Sequence, residues 1–218
     1  MAQEIEIKLR IEDARELRAA LKDWGARTVY SGTGRVHEWN TLFDTARQDL
    51  RKREQLLRTR IQTPDGKIAG RKKKAGQPAL LTFKGRVASG RVRSAKWTGR
   101  ERHKVRQEIE FRIDDAAKLG KILEQLGMHP SFHYEKYRTT FQLPPARRWS
   151  KGLLIELDET PIGTFMELEG PPKAIDRAAK ELGFSKKDYI LTNYLRLNAE
   201  DCRRRGVKAG DMVFRNRK

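Results

Sequence analysis

The chain opens with a strand that is charged along one entire face. Residues 4–11 read Glu-Ile-Glu-Ile-Lys-Leu-Arg-Ile. Side chains of a β-strand alternate between its faces, so Ile5, Ile7, Leu9 and Ile11 share one side, and Glu4, Glu6, Lys8 and Arg10 share the other. A half-exposed strand with a solvated face has the same pattern. The sharper reading depends on whether the pattern recurs in segments that can close on one another.

It does recur. In residues 36–44, Trp39, Thr41 and Phe43 stand opposite Glu38, Asn40, Leu42 and Asp44. Residues 56–62 put Arg58 and Arg60 on one face, and 80–84 form a strand ending in Lys84. Residues 105–113 set Arg106, Glu108, Glu110 and Arg112 against Ile109, Phe111 and Ile113. Further strands are expected at 133–142, 152–158 and 164–169, the last two joined by the hairpin turn Thr160-Pro161-Ile162-Gly163. Pro64-Asp65-Gly66 reads as another turn. Asp13 caps a helix running to about Trp24 and stopped by Gly25, and a second helix covers about 115–126 before Gly127. A third covers about 172–182 and a fourth about 186–198. Residues 85–104 read as a basic loop, and the chain from 201 onward as a mobile basic tail. Eight mostly antiparallel strands with four helices make an α+β fold. The expected division is one domain over 1–198, with a basic insertion at about 85–104, and a basic tail over 199–218.

Shifted by 102 residues, the chain matches itself without a gap. Glu6-Ile7-Lys8-Leu9-Arg10-Ile11-Glu12-Asp13-Ala14 lies over Glu108-Ile109-Glu110-Phe111-Arg112-Ile113-Asp114-Asp115-Ala116, and Leu17, Leu21 and Gly25 lie over Leu119, Leu123 and Gly127. With a small slip, Trp39, Thr41 and Phe43 lie over Tyr137, Thr139 and Phe141, and residues 80–85 over 165–170. Two related halves in a pseudo-twofold arrangement follow. On its charged face, half one carries Arg58, Arg60 and Lys84, whereas half two carries Glu156, Asp158 and Glu169 at or near the equivalent places. Closing the halves into one barrel sets cations against carboxylates across a shared interior. The apolar faces then point outward under the helices, the reverse of an ordinary small barrel.

A charged interior needs a ligand, ions or water to compensate it. Glu-x-Glu occurs on three strands, as Glu4/Glu6, Glu108/Glu110 and Glu167/Glu169. Residues i and i+2 lie on one face about 6.5–7 Å apart, close enough to hold hard cations, and carboxylate oxygens favour Mg²⁺ or Mn²⁺. The basic set is Lys8, Arg58, Arg60, Lys84, Arg106, Lys136 and Arg138. Guanidinium forks and lysine point charges suit phosphate oxygens. Acidic pairs for metal and many cations for oxyanions describe a site for a polyphosphate chain. The whole chain agrees, with 48 Lys+Arg against 29 Asp+Glu and a formal charge of +19, which calls for an anionic partner.

These residues resemble the triphosphate tunnel metalloenzymes, or CYTH superfamily, which includes class IV adenylate cyclases, thiamine triphosphatases and inorganic triphosphatases. The likeness starts at Glu4-x-Glu6-x-Lys8. It continues through Leu42-Phe43-Asp44-Thr45, Leu57-Arg58-Thr59-Arg60, Leu81-Thr82-Phe83-Lys84-Gly85 and Val105-Arg106-Gln107-Glu108-Ile109-Glu110. Glu135-Lys136-Tyr137-Arg138, Leu157-Asp158 and Gly163-Thr164-Phe165-Met166-Glu167-Leu168-Glu169 complete it, so that residues 3–198 follow the family order. The resemblance implies an eight-stranded antiparallel tunnel. It implies that Glu4, Glu6, Asp158, Glu167 and Glu169 hold divalent metal with Glu108 and Glu110 nearby, and that Lys8, Arg58, Arg60, Lys84, Arg106, Lys136 and Arg138 grip the triphosphate. Among these, Glu4, Glu6, Lys8, Arg60 and Lys84 are the expected catalytic set. The basic loop, with Arg86, Arg91, Arg93, Lys96, Arg100, Arg102 and Lys104, and the tail, with Arg203, Arg204, Arg205, Lys208, Arg215, Arg217 and Lys218, depart from the family core. A lid, or contact with nucleic acid or long polyphosphate, stands beside a solvated, disordered stretch as the reading of both.

His37, His103, His129 and His133 lack metal-ligand spacing and read as surface or structural. The single Cys202 excludes a disulfide framework and fits a reducing compartment. Trp24 and Trp39 read as packing. Trp97 and Trp149 read as surface packing before base stacking. Lys186, Lys187, Tyr189 and Tyr194 are placed near the tunnel mouth or in the core. The N-terminus enters a charged strand and no apolar run is long enough for a membrane span, so a cytoplasmic protein, monomer or homodimer, is expected. Three functions stay open: hydrolysis of inorganic, nucleoside or thiamine triphosphate; adenylate cyclisation at the same site; and non-catalytic binding of polyphosphate or RNA.

Overall fold

The computed structural model describes residues 2–64, 77–86 and 103–214. The turn beyond Pro64, most of the basic loop with Trp97, and the last four residues lie outside these. Among the described residues the strands are β1 (Ala2–Ile11), β2 (Arg27–Thr28), β3 (Arg35–Thr45), β4 (Leu56–Pro64), β5 (Ala79–Lys84), β6 (Lys104–Ile113), β7 (Met128–Gln142), β8 (Leu154–Thr160) and β9 (Gly163–Glu169). The helices are α1 (Ala14–Asp23), α2 (Asp49–Lys52), α3 (Ala116–Gln125), α4 (Pro172–Glu181) and α5 (Tyr194–Arg204).

Eight of the strands close a barrel in the order β7-β3-β4-β5-β6-β1-β9-β8, with β8 returning to β7 and every pairing antiparallel. The short β2 pairs beside β7 through Arg27–Gln142 and Thr28–Phe141. The expected repeat is present in the topology. Exchanging β1, β3, β4 and β5 for β6, β7, β8 and β9 leaves the circular strand order unchanged. The helix starts repeat as well. The Asp13 carboxylate accepts the Arg15 N–H at 2.7 Å, and Asp115 accepts those of Ala117 and Lys118 at 2.9 and 3.0 Å. Gly25 and Gly127 end the two helices at φ +74° and +77°, a backbone that side-chain-bearing residues resist.

The barrel is apolar outside and polar inside. Ile7, Leu9, Leu157, Met166 and Leu168 from its outer face pack against Leu17 and Leu21 of α1 and Ile175, Ala178 and Ala179 of α4, all buried. The two halves are covered unequally. Ile7 and Leu9 are 1% and 0% exposed, but their repeat partners Ile109 and Phe111 are 44% and 53% exposed. The first pair lies under both α1 and α4, while α3, the repeat counterpart of α1, packs toward β7 instead.

The chain after α4 departs from expectation. The fourth helix does not start at 186: Lys186–Asp188 is a single 3₁₀ turn, closed by a Ser185–Asp188 capping box. The chain then makes one bridge to β1 before the next helix. Ile190 exchanges two backbone hydrogen bonds with Lys8, at 2.8 and 3.1 Å, where β6 no longer pairs with that strand. Helix α5 starts only at Tyr194, capped by the Asn193 side chain, and runs on to Arg204. The expected mobile tail from 201 is likewise corrected as far as Phe214. β8 reaches only Tyr137 of β7, so the backbone of His133 and Glu135 is left for Met212, which bonds to both at 2.9 Å. Its side chain is 1% exposed, among Phe132, Tyr134, Phe165, Tyr194 and Leu197. The tail's basic composition hides this one apolar anchor. No helix among the described residues is long and apolar enough to cross a membrane.

If the tail is anchored this way, Met212→Ala should lower unfolding free energy by roughly 2–4 kcal/mol in urea titrations. An unchanged midpoint would return the segment to solvent.

Candidate functional site

Placing Glu4, Glu6 and Lys8 on the inner face of β1 follows from burying Ile5, Ile7 and Leu9 outside. The same choice on each strand brings the charged rows together around a cavity of about 270 Å³. Of the expected site residues, Glu4, Glu6, Lys8, Arg58, Arg60, Lys84, Arg106, Glu108, Glu110, Lys136, Arg138, Glu167 and Glu169 all line it. Strands β4 and β5, with Arg58, Arg60 and Lys84, stand across the barrel from β8 and β9, with Glu156, Glu167 and Glu169. Glu110 lines the cavity from an exposed position, its carboxylate accepting the Thr82 hydroxyl at 2.6 Å.

Asp158 is the exception. It is fully buried and lies outside the cavity lining. Its oxygens accept two bonds from Arg138 at 2.6 Å, one from Lys136 at 2.8 Å and one from the Tyr194 hydroxyl at 2.7 Å. Its contacts fix cations and leave little capacity for another ligand.

The acidic side is crowded. On adjacent strands Glu6 faces Glu169, and Glu156 faces Glu167. Like charges facing across strands are destabilising unless a cation intervenes. Lys8 reaches Glu167 at 2.5 Å, Lys84 reaches Glu4 at 2.5 Å and Glu108 at 3.4 Å, and Lys104 bonds Glu6. Arg138 contacts Glu156 and Glu167. These cations do not serve all carboxylates equally. Burial alone would push Glu6 up, but Lys104 and Lys8 outweigh it and hold the carboxyl well below its usual range. Glu167 is held low in the same way, its burial outweighed by Lys8 and Arg138. Glu169 goes the other way: burial, then the charges of Glu156 and Glu4, push it up to about 8. Burial beside Glu167 and Asp158 lifts Glu156 to about 7 despite Arg138. Burial also raises Glu108, with Glu4 adding to it against the pull of Lys84.

The basic side has donors to spare. Arg58 spends one amino group on the Tyr134 hydroxyl at 2.8 Å and another on Thr82 at 3.4 Å, and Arg60 reaches Glu38 at 3.4 Å. The Nε–H groups of Arg58, Arg60 and Arg106 are buried without a hydrogen-bond partner among the described residues. So is Oε2 of Glu4.

Several lining residues are not in the expected set. Lys104 is 6% exposed and bonds Glu6, but it adjoins the basic loop and reads there as one cation among many. Glu38 does not line the cavity but supports it, fully buried against Arg60 and Lys136; its burial is outweighed by Arg60, Lys136, Arg138 and Arg58, which hold the carboxyl low. Its place in the alternation of β3 was the available signal. Tyr194 lines the cavity, with Lys8 at 4.7 Å from its ring centre, and burial beside Asp158 and Glu167 raises its hydroxyl pKa. Lys186, Lys187 and Tyr189 do not line it. Lys186 pairs with Asp176 at 3.0 Å, and Tyr189 donates to the same carboxylate at 2.9 Å. Trp24 and Trp149 pack edge to face at 6.2 Å on the outer core, as expected. His37 and His103 are buried, and Cys202 is a buried free thiol.

The family model of the CYTH domain matches residues 2–194. No curated protein matches by sequence. Among solved structures, a Vibrio parahaemolyticus protein provisionally named an adenylate cyclase superposes with a TM-score of 0.66 at 15% identity, covering 90% of this chain and 97% of its own. A Pyrococcus horikoshii protein gives 0.64 at 23% identity over 90% and 98%. A Hippeastrum protein, provisionally named an adenylyl cyclase and described as revealing a dominant triphosphatase activity, gives 0.56 at 21% over 94% and 97%. At these identities the likeness establishes the fold.

Between pH 5 and 8 the folded chain retains protons on Glu169 and Glu156 that the unfolded chain has released. Stability from these groups is therefore lost as pH rises through that window, whereas Glu6, Glu38 and Glu167 are ionised in both states there. Metal-free protein should melt roughly 5 °C lower at pH 8.5 than at pH 6, and Glu169→Gln should flatten the fall in thermal scans. An equally steep fall in the variant would assign the slope to other groups.

Proposed function

Because the chain belongs to the CYTH domain family, we propose that it is a divalent-metal-dependent hydrolase of triphosphate substrates, acting inside its barrel. The observation that carries this reading is a set of three arginines that line the cavity, Arg58, Arg60 and Arg106, each with a buried Nε–H that lacks a partner among the described residues, in a barrel that also crowds carboxylates from β1, β8 and β9. An oxyanion chain is what such donors bind. Three phosphate groups match their number better than one.

The acidic wall fits a divalent cation by its chemistry. The buried Oε2 of Glu4 has no partner among the described residues, and burial, with Glu156 and Glu4 adding to it, leaves Glu169 pushed up to about 8. Among the described residues no three such side chains are already gathered around one point. In the proposed reaction Glu4, Glu6, Glu167 and Glu169 would hold Mg²⁺ or Mn²⁺, with Glu108 and Glu110 at hand. When bound, the metal supplies charge neutralisation at phosphate oxygens and lowers the pKa of water. Arg58, Arg60, Lys84 and Arg106 bind and align the phosphates and stabilise the charge that grows on the departing group. Lys8 is held on Glu167, while Lys136 and Arg138 are set by Asp158 and so meet the substrate pre-positioned. Asp158 acts as their anchor.

Water is the proposed nucleophile because a ribose hydroxyl in a cyclase must be positioned as well as activated. Incubation with inorganic triphosphate, ATP and thiamine triphosphate plus Mg²⁺ or Mn²⁺ should release phosphate, and a chelator should abolish it reversibly. Cyclic AMP with pyrophosphate would replace hydrolysis by cyclisation. Binding without turnover, weakening steeply with salt, would leave a polyphosphate- or RNA-binding module.

Glu6→Ala and Arg60→Ala should each lower turnover at least tenfold with the thermal transition retained. Near-wild-type rates in both would move the site elsewhere.

A further inference from the structure

A second cavity, of about 280 Å³, adjoins the charged one and shares Leu42, Leu56, Arg106 and Asn193 with it. Its walls differ in kind. Leu50, Leu191 and Leu195 join Leu42 and Leu56 to make an apolar surface, with the amides of Gln48 and Gln55 among them. A ligand whose phosphates lie among Arg58, Arg60 and Arg106 thus has an apolar compartment at one end of its path.

The loop around α2 that builds this compartment is held under strain. Gln48 and Glu54, both at φ 58°, are the non-glycine residues with positive φ among those described, and both line the cavity. The Asp44 carboxylate pins the loop by accepting the N–H groups of Thr45, Leu50 and Arg51 at 2.8, 2.9 and 3.0 Å. Strain of this kind persists where the surroundings enforce a shape, often at a ligand site.

Charge narrows the occupant. Arg51, Arg106 and Arg196 line the compartment, while Asp44 is spent on backbone donors and Glu54 pairs with Arg86 at 3.6 Å. A cationic heterocycle would meet three guanidinium groups against two carboxylates, a wall of net positive charge. A neutral heterocycle and sugar gains apolar contact and amide hydrogen bonds without that repulsion.

We propose that this compartment holds the neutral organic group of an organically substituted triphosphate, of the nucleoside triphosphate class. This makes inorganic triphosphate and thiamine triphosphate poorer substrates. The inference rests on the triphosphate reading of the barrel.

Leu191 is 39% exposed, so Leu191→Trp can fill the compartment at little cost to folding. Wild-type kcat/KM should be at least roughly tenfold higher for ATP than for inorganic or thiamine triphosphate. The variant should lose at least about tenfold on ATP and stay within about twofold on inorganic triphosphate. Parity of ATP with inorganic triphosphate in the wild type overturns the proposal, as does an equal effect, or none, of the variant on both. If no substrate is turned over, calorimetric titration with ATP and inorganic triphosphate separates the two readings. Binding of ATP at least tenfold tighter, equalised by Leu191→Trp, upholds the compartment while refuting hydrolysis. Equal affinities refute the compartment.

Discussion

The structure depends on keeping many ions inside a barrel, away from bulk solvent. A buried charge is costly unless it is paired and hydrogen-bonded. Part of the interior meets that demand internally, and Asp158, with four hydrogen bonds from Arg138, Lys136 and Tyr194, is its best-served member. The remainder does not. Glu4 keeps a buried oxygen without a partner, and three arginines keep buried Nε–H groups without one. Arg58 and Arg60 on β4 stand across the barrel from the carboxylates of β8 and β9, and Arg106, though it pairs in register with Glu4, leaves that Glu4 oxygen without a hydrogen bond. A cation on one side and an oxyanion on the other would complete both at once.

Putting charge inside dictates what lies outside. Every strand that offers Glu or Arg inward offers Ile, Leu, Val or Phe outward, so the hydrophobic core of this fold lies between the barrel and its helices. α1 and α4 complete that core over β1, β8 and β9, where Ile7, Leu9, Ile155, Leu157 and Leu168 are buried. Over β6 the duplicated pattern survives, but the covering does not, and Ile109 and Phe111 stay exposed. The repeat preserves strand order and helix caps and keeps its inward positions charged, though with the sign reversed between β4 and β5 and their counterparts β8 and β9, while outer packing is not kept. This suits an interior whose function depends on where ions are placed.

Much of this was legible in the sequence because the relevant signals are local. Alternation over eight or more residues assigns each side chain of β1, β3, β4 and β6 to a face, and the 102-residue repeat supplies the closure. What escaped was set by contacts between distant segments. Lys104 stands at the edge of a basic stretch, and only the register that puts it opposite Glu6 marks it as part of the site. The sequence places Tyr194 at the tunnel mouth or in the core, but does not show the bond from its hydroxyl to Asp158. Met212 is one apolar side chain in a basic tail. It is held because β7 outruns its partner β8, a matter of strand lengths that no periodicity encodes.

The pairing pattern also bears on how a substrate could enter. The lysines that touch the acidic wall, Lys8, Lys84 and Lys104, are flexible point charges on carboxylates that a cation would claim. The arginines that face them are planar forks, and those with unspent donors are held by neutral Tyr134 and Thr82 or only loosely by Glu38. A divalent cation arriving on the acidic wall would therefore release lysine ammonium groups into the cavity at the moment an anionic chain could use them. Metal and anion would strengthen each other's binding through these three side chains, without movement of the barrel. In this arrangement the lysines would balance the carboxylates first and the anionic ligand afterwards.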